Sequence, residues 1–118
     1  MSLEHPVIKS FPLAIEGIKT AMKNEPNFRV HILIGFLVLL SGVILQFNQI
    51  ELAILTLTIG IVIILELVNT MLEAVVDLVS PEVKKEAKLA KDVAAGSVLI
   101  AAIIAVVIGT LLFLPKLI

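Results

Sequence analysis

The sequence predicts an all-α membrane protein, with an N-terminal amphipathic interfacial helix followed by three membrane helices, forming one domain over residues 1–118. Composition is the first reason: 59% of residues are hydrophobic, 16% are charged and the mean hydropathy is +1.14, far from the values of a water-soluble domain. The second is the presence of three long apolar stretches, two of which carry no Asp, Glu, Lys or Arg along a length that crosses a bilayer. The third is the one-sided placement of the basic residues, which orients those stretches.

In residues 1–25, Phe11, Ala14, Ile15, Ile18, Ala21 and Met22 recur at three- and four-residue spacing, with Glu16, Lys19 and Lys23 at other positions. This is the pattern of an interfacial helix, and equally of an ordinary helix packed on the end of a bundle. It does not read as a secretory signal, because Glu4, His5, Pro6, Lys9 and Pro12 interrupt the place of an apolar core, so the mature chain is expected to start near Met1. Asn24, Glu25, Pro26 and Asn27 mark a break before the first membrane helix, expected over 28–47. Residues 30–50 carry no charge and at about 1.5 Å per residue cross a hydrocarbon core of about 30 Å. The short polar run at 46–49 predicts a tight hairpin into a second helix over 51–79, stopped by Ser80 and Pro81. A charged connection at 82–91 leads to a third membrane helix over 90–114, whose first half is crowded with Ala and Gly, as expected where helix backbones pack closely.

Lys9, Lys19, Lys23, Arg29, Lys84, Lys85, Lys88 and Lys91 flank one side of the membrane and Lys116 alone the other. The N-terminus and the 82–91 loop are therefore expected in the cytoplasm, with the hairpin and C-terminus outside. A net charge of −1 excludes a nucleic-acid partner, which needs clustered cationic residues. With no cysteine, disulfides and thiol chemistry are excluded as well. Three membrane helices leave no room within these 118 residues for a separate soluble catalytic domain.

Chemistry concentrates at the cytoplasmic ends. Glu66, Asn69, Glu73 and Asp77 are three, four and four residues apart and project from one helix within an arc of about 80°. A carboxylate in apolar surroundings costs about 2.5 to 3.5 kcal/mol on insertion scales, so the stripe calls for partners. Glu25 and Arg29 before the first membrane helix, and Lys91 and Asp92 at the start of the third, are the candidates. Oxygen ligands with room for phosphates and water suit magnesium; zinc is not expected without cysteine or paired histidines. Glu73 and Asp77 can also be read as interfacial charges, and Lys91 with Asp92 as a helix-start pair. Glu66, directly after Ile63, Ile64 and Leu65, is harder to explain as structural. His31, inside an apolar run, reads as a packing or interfacial histidine, and His5 as a surface residue. No GxxxxGK[ST] loop and no kinase GxGxxG, HRD or DFG segments occur, so any phosphoryl transfer must use another architecture.

The run Glu66-Leu67-Val68-Asn69-Thr70-Met71-Leu72-Glu73-Ala74-Val75-Val76-Asp77, followed by Ala90-Lys91-Asp92 and preceded by Asn24-Glu25-Pro26-Asn27-Phe28-Arg29, resembles the signature of the prokaryotic diacylglycerol and undecaprenol kinases. The resemblance covers nearly the whole chain. It implies a homotrimer with active sites shared between subunits, ATP as donor and Mg2+ as cofactor. Glu66 would be the general base and Glu25 and Glu73 the magnesium ligands. Asn69 and Asp77 would orient the site, Lys91 and Asp92 would contact phosphates, and Glu82 and Lys84 would lie over the nucleotide. Arg29 and Glu66 are the lipid-site candidates. The chain has Val83-Lys84-Lys85 where many relatives carry a histidine, and Phe28-Arg29-Val30-His31 is closer to the undecaprenol kinase branch. The expected function is phosphorylation of a polyprenol, with diacylglycerol as the alternative acceptor. Rivals from other classes are a proton-coupled transporter in which Glu66 titrates, and a structural membrane subunit.

Overall fold

A computed structural model describes residues 7–82 and 84–118; His5 and Val83 lie outside the described residues. The chain folds as α1 (Val7–Asn24), α2 (Pro26–Ile44), α3 (Gln49–Val79) and α4 (Lys85–Leu117). The last three are long and apolar enough to cross a membrane.

The junction between α1 and α2 follows from proline chemistry. Glu25 is extended, at φ −114° and ψ 100°, because the ring of Pro26 excludes the helical region for the residue before it. Pro26 then opens α2, where its missing N–H has no helical partner to lose. Across this break, Arg29 Nη1 donates to the carbonyls of Met22 and Lys23, each at 2.9 Å, capping the end of α1.

α2 stops at Ile44, short of the expected position 47, through a left-handed C-terminal cap. Phe47 N donates to Gly42 O at 3.0 Å and Gln46 N to Val43 O at 3.1 Å, with Gln46 at φ 61°. α3 begins at once with a reciprocal cap: Glu51 N donates to Asn48 Oδ1 at 2.8 Å and Asn48 N to Glu51 Oε1 at 2.9 Å. α4 starts at Lys85 rather than 90, since the charged run from Lys85 to Lys91 is itself helical.

Close packing of α2 on α3 rests on two glycines. A Cβ on Gly35 would stand 2.7 Å from Ile59 Cγ2, and one on Gly42 would stand 3.0 Å from Leu55 Cδ2. On α4, where the small residues were expected to serve this purpose, Ala101 is buried but Gly96 faces open space. At the hairpin end, Lys116 Nζ lies 3.2 Å from Glu51 Oε1 and the rings of Phe113 and Phe47 are 4.8 Å apart, so α4 ends beside the start of α3. Between α2 and α4, over the face of α3, runs a groove of about 610 Å³ lined by His31, Gly35, Leu55, Val62, Ala105 and Phe113 among others.

Candidate active site

Glu66 is the most buried charged residue described, 4% exposed, with Ile64, Leu65, Leu67 and Val68 as its neighbours along α3. Its Oε2 lies 3.6 Å from Nε2 of His31 on α2. The register set by the glycines produces this pairing. Gly42 faces Leu55; His31 precedes Gly42 by eleven residues and Glu66 follows Leu55 by eleven, three turns of helix in each case, so the two faces meet again. The sequence reading took His31 for a packing or interfacial histidine. Counting outward from the tight hairpin is the signal that pairs it with Glu66.

One turn further along α3, Asn69 Nδ2 donates to Glu73 Oε1 at 3.2 Å, while Asn69 Oδ1 is buried without a partner among the described residues. Glu73 and Asp77 line a second cavity, of about 700 Å³, together with Glu25, Asn24 and Thr20 from the α1 side. The α1–α2 break therefore brings Glu25 to the same cavity as Glu73, although they are far apart in sequence. Lys91 Nζ donates to Asp77 Oδ1, linking α4 to this rim.

The remaining candidates are distributed less tightly. Asp92 pairs with Lys88 on its own helix at 2.6 Å. Glu82 and Lys84 are exposed, with the Glu82 carbonyl accepting from Ser80 Oγ at 2.9 Å. Arg29 serves the end of α1, as described above.

No group of three or more His, Asp or Glu side chains is assembled to hold a metal among the described residues. The side chains of Glu25, Glu73 and Asp77 that line the second cavity nonetheless offer only oxygens, in a cavity with room for phosphates. That incomplete set fits magnesium, which keeps waters and takes substrate oxygens to fill its octahedron.

The profile of the prokaryotic diacylglycerol kinase family matches residues 12–113. The chain belongs to that family. It is 46% identical over 112 residues to a diacylglycerol kinase of Synechocystis, covering 94% of this chain and 64% of the relative, so it spans about two thirds of that protein. It is also 43% identical over 109 residues to the undecaprenol kinase of Bacillus subtilis, covering 92% of this chain and 89% of the relative. The diacylglycerol kinase of Escherichia coli K12 is 36% identical over 104 residues, covering 86% and 83%. Membership makes the chain a multi-pass membrane lipid kinase, and the transporter and structural-subunit readings give way.

Proposed function

We propose that the kinase transfers the γ-phosphate of ATP to the hydroxyl of undecaprenol at the cytoplasmic face, with Glu66 as general base. The observation that carries this reading is the meeting of an apolar groove with the buried carboxylate: His31 lines the groove and lies 3.6 Å from Glu66. A lone isoprenoid chain suits one continuous groove better than the paired acyl chains of diacylglycerol. The likeness to the undecaprenol kinase over 89% of that protein supports the same acceptor.

Glu66 takes the hydroxyl proton as the acceptor oxygen forms its bond to the γ-phosphorus and the bridging P–O bond breaks toward ADP. Glu25 and Glu73 would hold Mg2+, which when bound neutralises charge on the phosphates. Asn69 orients Glu73 through its amide. Asp77 directs Lys91 toward the same cavity, where an ammonium attracts phosphate oxygens. Asp92, Glu82 and Lys84 would complete the nucleotide contacts, and Arg29 would reach the acceptor's head when not engaged with α1. The assembly would be a homotrimer with shared sites. Its N-terminus would be cytoplasmic and its C-terminus outside, as the basic residues indicate.

The test is phosphorylation in mixed micelles with labelled ATP and Mg2+, offering undecaprenol and diacylglycerol in parallel. Undecaprenol should be the better substrate by at least about tenfold in kcat/KM, and Glu66→Gln should lose about 10²- to 10⁴-fold in kcat with nucleotide binding retained. Preference for diacylglycerol would replace the acceptor with that lipid. Labelling of neither alcohol by folded protein would end the kinase reading of this site.

A further inference from the structure

His31 has no part in the chemistry derived so far, yet it occupies an unusual position. It is the one titratable side chain of α2 beyond the first turn, set in an otherwise uncharged stretch of the helix, where an unpartnered polar ring is costly. Its side chain is 27% exposed and that of Glu66 6%. Among the described residues no hydrogen bond reaches the Glu66 carboxylate, so the imidazole is the polar group that faces it.

The other charged groups nearby are engaged elsewhere. Arg29, two residues earlier on α2, donates to Met22 and Lys23 carbonyls. On α3, Glu73 is bonded to Asn69 and Asp77 to Lys91 of α4. Where α4 borders the groove beside His31 it offers Ala102, Ala105 and Val106. The distance between imidazole and carboxylate is in turn held by Gly35, one turn along α2, whose contact with Ile59 prevents α2 from drifting away from α3.

We propose that His31 is a positioning residue for the reaction: its Nε2–H holds Oε2 of Glu66 and leaves the second carboxylate oxygen to the acceptor hydroxyl. This rests on the reading of Glu66 as the base. At 3.6 Å the contact is longer than a formed hydrogen bond, and it closes when the acceptor enters the groove, as catalytic hydrogen bonds often do on substrate binding. Holding one oxygen fixes the carboxylate rotamer, so the proton is taken from a constant direction at the moment of transfer.

The full-length protein in micelles tests this with His31→Leu, His31→Gln, Glu66→Asp and the double variant His31→Leu/Glu66→Asp. His31→Leu should lower kcat at least about tenfold with the KM for MgATP within about twofold of the parent. His31→Gln, which keeps an N–H donor of similar reach, should recover to within about threefold of the parent. In the Glu66→Asp background, where the shortened carboxylate has already left the imidazole, His31→Leu should cost less than about threefold more. A leucine variant as active as the parent, or losses that multiply in the double variant, would overturn the proposal. So would loss of nucleotide binding in both His31 variants, because His31 would then be a determinant of the fold. Failure of the base reading is seen separately, as an active Glu66→Gln enzyme.

Discussion

Gly35 and Ile59 meet so closely that a Cβ on the glycine would stand 2.7 Å from Cγ2 of the isoleucine. That methyl sits on a β-branched carbon and has little freedom to move aside. Gly35→Ala should therefore part α2 from α3 and destabilise the fold by about 1 to 3 kcal/mol, the usual range for overpacking. Since His31 lies one turn away, activity should fall with stability. Gly96→Ala, whose Cβ meets open space inside α4, should leave activity unchanged and raise stability by about 0.5 to 1 kcal/mol. Thermal unfolding in detergent, read beside the kinase assay, compares the two.

Asn69 has a buried carbonyl oxygen without a partner among the described residues, and its amide holds Glu73. Replacing Asn69 with Leu frees Glu73 and removes the oxygen. The Mg2+ concentration for half-maximal rate should rise about 10- to 100-fold, as for other groups that orient a metal ligand. Chelation of Mg2+ should abolish turnover in parent and variant alike, with recovery on readdition at those different concentrations.

Lys91 with Asp77 and Lys88 with Asp92 are both surface ion pairs, the lysine side chains being 39% and 70% exposed. Solvent screening leaves both with little weight in the stability of the fold. If Lys91 meets the nucleotide, Lys91→Met should raise the KM for ATP at least about tenfold, while Lys88→Met should change it less than about twofold. A steady-state ATP titration of the two variants, with unchanged melting curves, separates a binding role from a structural one.

Gln46 adopts φ 61°, a left-handed conformation that carries a steric penalty for any residue with a Cβ. Gln46→Gly should raise stability by about 0.5 to 1 kcal/mol, the relief being partly offset by the greater freedom of glycine in the unfolded chain. Kinase activity should be untouched, because the turn is at the Glu51–Lys116 end, remote from Asp77 and Lys91.

Helix number and type, the hairpin and the acidic stripe were legible because each depends on local periodicity. Uncharged runs on α2 and α4 had to lie in lipid, and Glu66, Asn69, Glu73 and Asp77 share one side of α3 whatever else the chain does. The same holds for the break at Glu25 and Pro26, which proline sterics impose on any structure. What local rules do not contain is the relation between helices. Whether Glu25 would reach the cavity of Glu73, or which residue would face Glu66, depends on crossing and register, and these are set by whichever residues allow backbones to approach. Small residues on α4 seemed the natural place for that, yet Gly35 and Gly42 on α2 perform it. Sequence alone thus determined the membrane helices and the acids they carry, since hydrophobicity and helical period act residue by residue. Only the tertiary structure decided that His31 stands beside Glu66, because that distance is the sum of a hairpin cap, two glycine contacts and three turns of helix acting together.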